Sequence, residues 1–254
     1  LDVRTARVLL AREHVVSRLC GSGRRHHPQQ NCSTVAAVIG IPGTGAMEVL
    51  RFRWGQATFT VGRLLFTRVG AQKGVNTNYD VRVRASNGDL RDTEHAILAW
   101  KVPIRSRRTG KWDVAVYTPY SAGLHRSEVI AAGRQYFLGV MQEAREQLDR
   151  VRVYSLVVGD AFVTSVVPRT TTATLAIVEK MDHAEFERCK GSRACIQRLV
   201  DVVRVVLAVN GAHAYRYAVS RAGARGFMQV TPRTGEAVRR LYPRAKLPAF
   251  TTGS

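Results

Sequence analysis

Apolar residues at helical spacing open the chain. Val3, Ala6, Val8, Leu9, Leu10, Val15, Val16 and Leu19 recur among arginines, predicting an amphipathic helix over residues 2–19 that ends near Cys20-Gly21. The polar stretch from Cys20 to Cys32 reads as a loop. Beyond it the pattern changes to short β-branched and aromatic runs at 35–41, 49–54, 57–66, 79–83, 96–104 and 112–117. Turn sequences such as Ser86-Asn87-Gly88-Asp89 and Arg108-Thr109-Gly110-Lys111 separate them, and Tyr79-Asp80-Val81-Arg82-Val83-Arg84 alternates as a half-buried strand does. Residues 33–120 are therefore expected to form an antiparallel β module. The glycine-rich stretch from Gly40 to Gly45 lacks the Gly-Lys-Ser/Thr ending of a phosphate loop and precedes a strand-like run, so it is read as a turn.

Helical periodicity returns at 127–151, where Val129, Ile130, Ala132, Phe137, Val140, Met141, Ala144 and Leu148 form one stripe. Gly133 and Gly139 weaken that helix without breaking it. The apolar run 153–167, with Gly159-Asp160 in its middle, fits either a hairpin or two lengths of buried connector. Pro168 opens a second region: Thr170, Thr171 and Thr172 offer N-caps for a helix through Leu175, Ile177, Val178 and Met181, and Asp182 begins a polar turn. The helix predicted over 194–210 is apolar around most of its circumference, leaving only Gln197, Asp201 and Arg204 as a narrow polar stripe. It is expected to be the buried centre of the second domain, closed by the C-cap pair Asn210-Gly211. The fold class implied is α+β: a β-rich N-terminal domain at 1–167, including the first helix and the long helix, and a helical domain at 168–254.

Composition adds a charge. Of 254 residues 45% are hydrophobic, enough for one large or two ordinary domains, while 39 Lys+Arg against 19 Asp+Glu give a formal net charge of +20. Such a field attracts polyanions, whether nucleic acid, an anionic membrane or an acidic wall polymer. The basic residues are dispersed, without zinc-finger spacing or an aromatic RNA-binding motif, so nucleic acid is the least favoured partner. No run of eighteen apolar residues predicts a transmembrane helix, and Leu1-Asp2-Val3-Arg4 carries no signal pattern. Four cysteines form two local pairs, Cys20 with Cys32 and Cys189 with Cys195, each bracketing a polar loop. Two disulfides in an oxidising compartment are the favoured reading. The rival is a metal held by Cys20, His26, His27 and Cys32, whose spacing fits no established zinc pattern.

One stretch carries more specific chemistry. Ser220-Arg221-Ala222-Gly223-Ala224-Arg225-Gly226-Phe227-Met228-Gln229, closing with Pro232-Arg233-Thr234, resembles the signature of the Slt-type lytic transglycosylases, the goose-lysozyme-like murein hydrolases. Phe227 stands where that family usually has leucine. The resemblance covers about one tenth of the chain. It implies a lysozyme-like helical domain acting on the β-1,4 bond between N-acetylmuramic acid and N-acetylglucosamine, without metal or cofactor. In that family one glutamate at the end of a buried helix protonates the glycosidic oxygen. It then takes a proton from the sugar's hydroxymethyl group as a 1,6-anhydro ring closes. The resemblance places Ser220 near the acid and Met228 and Gln229 along the glycan groove, with Gly223 and Gly226 allowing close backbone approach. Tyr215 and Tyr217 are candidate stacking surfaces.

The glutamate itself is missing. It is expected eight or nine residues before Ser220, where Gly211 and Ala212 stand. Three accounts are open: a Glu→Ala replacement at Ala212, a natural protein that binds glycan without cutting it, or a carboxylate from elsewhere, with Glu179 on the preceding helix as candidate. Only residues 235–254 follow the signature, so the helical domain is expected to be incomplete or to borrow a wall from the N-terminal region, with Tyr242 a weak stand-in for the family's downstream tyrosine. The expected function is that of a transglycosylase-like protein, inactive in this form, on peptidoglycan strands in the periplasm or outside the cell. The alternative is a non-catalytic murein-binding or basic assembly protein with cell-envelope protein partners.

Overall fold

The computed structural model describes residues 2–13, 19–20, 30–31, 33–40, 44–54, 58–61, 64–69, 80–85, 95–105, 112–216, 224 and 226–245. The chain divides into two compact units, Leu1–Arg126 and Ser127–Ser254. The first is built on antiparallel sheet and the second on helices, an α+β protein as the hydrophobic pattern implies. The boundary falls well before residue 168. The long helix, grouped by its position in sequence with the N-terminal region, instead packs along the apolar helix of the second unit.

In the first unit, helix α1 (Val3–Ala11) precedes, among the described residues, nine strands: β1 (Leu19–Cys20), β2 (Gln30–Asn31), β3 (Ser33–Gly40), β4 (Met47–Trp54), β5 (Thr58–Val61), β6 (Leu64–Val69), β7 (Asp80–Ala85), β8 (Ala96–Arg105) and β9 (Trp112–Tyr117). They form sheets ordered β1-β2, β4-β3-β8-β9 and β5-β6-β7, with every pairing antiparallel. The apolar run expected at 57–66 is not one strand, because a hairpin divides it into β5 and β6. Helix α1 packs against β3 and β8 and stops at Ala11, short of the expected Leu19, which instead begins β1. Its ends explain its length. The Asp2 carboxylate accepts from the Arg4 and Thr5 amides at 2.9 and 3.1 Å, satisfying donors that a helix start leaves orphaned. At the other end Lys101 Nζ donates to the carbonyls of Leu10 and Glu13 at 3.1 and 2.7 Å, a cation placed on the negative end of the helix dipole. A β-bulge between Val38 and Ile39 shifts the β3–β8 register. After β9 the chain stays beside β8, where Ser121 Oγ accepts from the Ile97 amide and Thr118 Oγ1 donates to the Leu98 carbonyl.

The second unit contains α2 (Ser127–Arg150), α3 (Val163–Val166), α4 (Arg169–Val178), α5 (His183–Arg188), α6 (Arg193–Asn210) and α7 (Pro232–Leu241). The α2–α6 crossing organises it. A Cβ added to Gly133 would lie 1.9 Å from the Arg204 carbonyl oxygen, so the two backbones approach as only glycine permits. The residue that costs α2 helix propensity is thus the one that lets it pack. The segment between α2 and α3 is a short hairpin, with a Tyr154–Phe162 bridge and a Ser155 amide donating to the Ala161 carbonyl at 2.8 Å. Cys189, at the end of α5, is disulfide-bonded to Cys195 in the first turn of α6. Between them Lys190 and Gly191 take positive φ of 45° and 81°, which turns the chain sharply enough to start α6. The pairing of Cys20 with Cys32, and the rival metal cluster with His26 and His27, lie outside the described residues.

Candidate functional site

Helix α6 is apolar along its length but buries only its second half: Val203, Val205, Val206, Leu207 and Asn210 are enclosed, whereas its first turns are partly or fully exposed. Its N-terminal half is thus less enclosed than expected of the domain's buried centre. The Asn210 side chain turns back to donate to the Val206 carbonyl at 3.0 Å, and Gly211 ends the helix with φ 53° and ψ −130°, a conformation suited to glycine. A 3₁₀ turn over Gly211–His213 then carries the chain out of the helix.

A cavity of about 620 Å³ opens at this point within the second unit. That volume falls in the range of small-molecule sites. Its floor comes from Phe137, Met141 and Leu148 of α2, and its sides from Val163, Val167 and Leu207. Gly211, Ala212, Phe227 and Met228 complete it. The lining is overwhelmingly aliphatic and aromatic. Arg145 is its one cation among the described residues, and that guanidinium is engaged with the carbonyls of Thr164 and, at 3.0 Å, Val167. No carboxylate lines the cavity among the described residues.

The residues singled out from the sequence scatter around this cavity. Ala212 and Met228 line it together, and Gly211 joins them. Gln229 does not line it. Its backbone takes φ 48°, and its side-chain Nε2 donates to the Gly226 carbonyl at 2.9 Å, closing the turn that carries Met228. Tyr215 is buried at 5% exposure rather than presented as a stacking surface, with its ring centroid 5.6 Å from that of Phe227. Tyr215 also has φ 59°, a left-handed conformation costly for a bulky residue, of order 1–3 kcal/mol, which persists where packing over-determines it. Phe227 supplies that packing, touching Tyr215 on one side and Phe137 edge-on at 5.6 Å on the other. Glu179 is exposed at the C-cap of α4 and is not part of the lining, and Tyr242 caps α7. Tyr217, Ser220 and Gly223 lie outside the described residues.

Two features were not foreseen. The apolar stripe of α2 supplies much of the cavity lining, and nothing in its periodicity separates lining a cavity from packing. Lys180 places its ammonium 5.0 Å from the centre of the Tyr215 ring, a cation–π contact. Burial lowers the pKa of Lys180 from an ordinary 10.5 to about 8, against a smaller opposing pull from Glu179.

Fold and cavity together define an α+β protein whose helical unit carries an apolar pocket at the end of its most buried helix. The chain matches no known family model, no curated protein and no solved structure.

Proposed function

We propose that the helical unit is a transglycosylase-like murein-binding module that holds glycan strands without cleaving them, because the position that would carry the proton donor is occupied by Ala212. The observation that supports this most is the meeting of Ala212 and Met228 at one cavity, at the end of the helix that buries its C-terminal half. The resemblance puts the acid at the first of these and a groove-lining side chain at the second, while Gln229, the other described groove position, lies outside the lining. Ala212 is exposed at the cavity, so only a carboxyl turned inward from it onto the apolar lining would have its pKa raised towards neutrality, as a general acid needs. Without that acid the single-residue mechanism has no proton to give the leaving oxygen. The Cys189–Cys195 disulfide fits an extracytoplasmic setting, and the net charge of +20 suits an acidic wall polymer.

The backbone also favours one place for a restored acid. Gly211, at φ 53°, ψ −130°, would strain any side chain, whereas Ala212 already carries a Cβ. Ala212→Glu is expected to release 1,6-anhydro-muropeptides from purified murein, while the unchanged protein releases none. Absence of product from a folded Ala212→Glu protein removes the catalytic ancestry from the account.

The second reading, a basic assembly protein, is favoured by the cavity's lining. Aliphatic and aromatic walls suit an apolar peptide segment at least as well as a sugar. Retention on murein sacculi after salt has screened the positive charge separates the two, since a pure assembly protein is then washed away.

A further inference from the structure

The hairpin between α2 and α3 presents its apolar residues the wrong way round for a soluble surface. Leu156, Val157 and Val158 are consecutive and are 60%, 92% and 49% exposed. Three exposed apolar residues in a row are rare without a function. The turn holding them is well braced. The buried Ser155 hydroxyl accepts from the amides of both Val157 and Val158 at 3.1 Å, and the Ser155 amide donates to the Ala161 carbonyl at 2.8 Å. Below the tip the Tyr154 and Phe162 rings stack with centroids 5.0 Å apart, and the Val163 amide donates to the Val153 carbonyl at 2.9 Å. Arg145 ties the far side of the hairpin to α2 through the Thr164 and Val167 carbonyls. The exposed tip is therefore fixed in place by polar contacts.

We propose that this tip is a wedge that inserts Leu156, Val157 and Val158 into the surface of an anionic lipid bilayer. Size and charge select this occupant. The tip, with the partly exposed Tyr154 and Phe162 rings below it, is a small apolar projection, short of the roughly 800 Å² per partner that a stable protein interface buries, whereas a bilayer interface accepts such an insertion when electrostatic attraction assists it. The chain supplies that attraction with a net charge of +20, and exposed Arg150 and Arg152 stand at the hairpin's base. Asp160, beside the tip, is the one acidic residue of the turn. No described helix is long and apolar enough to cross a membrane, so the attachment is peripheral. The tip residues Leu156, Val157 and Val158 do not line the cavity, although Arg145 and Val163 at the hairpin's base do.

The test is sedimentation with vesicles of phosphatidylcholine mixed with phosphatidylglycerol, and of phosphatidylcholine alone, for the full chain and for Val157→Ser and Val157→Asp. With Val157 at 92% exposure, both variants are expected to keep the wild-type melting temperature. The unchanged protein binds the mixed vesicles and retains part of that binding at high salt. Val157→Ser lowers the salt-resistant part about fivefold, and Val157→Asp lowers it at least about tenfold. Failure to bind the mixed vesicles overturns the proposal, as does salt-resistant binding that both variants keep. Concentration-dependent self-association abolished by Val157→Asp, without vesicle binding, assigns the tip to a second copy of the chain and also overturns it.

Discussion

Val38 and Leu98, in the middle strands of the four-stranded sheet, are fully buried, and their neighbours Ala37, Ile39, Ile97 and Ala99 are 1% exposed or less. Helix α6, the counterpart in the second unit, encloses only the half that ends at Asn210, and a cavity of about 620 Å³ opens beside that end. Burial at consecutive positions means that both faces of these described stretches of β3 and β8 are covered. The helices achieve close contact at one point, Gly133 against Arg204, and leave space further along. The described centre of the four-stranded sheet is thus closely packed, whereas the second unit leaves a cavity beside the end of α6.

Substitutions that exploit this contrast should separate the two units. The largest effect is expected for Trp100→Ala, which empties a side chain 1% exposed in β8 and should cost about 3–5 kcal/mol in urea unfolding. Gly133→Ala comes next, at about 3 kcal/mol, because the added methyl has no space against the Arg204 carbonyl. Hydrogen exchange should show faster opening of α2 and α6 with β3 and β8 unchanged. Equal loosening of both sets would show that the contrast between the units is not a contrast in local stability. Replacing Cys189 and Cys195 with serine should remove about 2 kcal/mol, read as a lower melting temperature that reductant no longer affects.

The smallest effect concerns Lys180. A lysine whose folded pKa is lowered binds fewer protons in the folded state than in the unfolded state between about 8 and 10.5. Stability should therefore rise with pH across that window and stay level, for this group, below it. Lys180→Met should remove that rise while stabilising the protein at neutral pH. A variant with the same pH dependence as the parent would place the cause in another group.

Much of the secondary structure was legible because it follows from spacing alone. The 194–210 stripe is α6, the 127–151 stripe is α2, and 112–117 is β9 to the residue. Tertiary effects were not legible. Lys101 lies far from α1 in sequence, so nothing near residue 11 announced that its ammonium would meet the end of that helix. Gly133 looked like a weakness because propensity is local, whereas its advantage depends on a carbonyl of α6. The unit boundary was misplaced for the same reason. At the site, the family resemblance paired Ala212 with Met228, which meet at one cavity, but it could not tell that Tyr215 would turn inward behind Phe227 or that Glu179 would face solvent.

The central claim, that the pocket at the end of α6 holds a murein strand, is tested most directly by retention on purified sacculi at about 0.5 M salt, where surface attraction is screened within a few ångströms. The full chain should remain bound, and Ala212→Trp, which fills the cavity mouth from an exposed position, should elute with its melting temperature unchanged. Complete elution of the unchanged protein, or equal retention of Ala212→Trp, contradicts the claim.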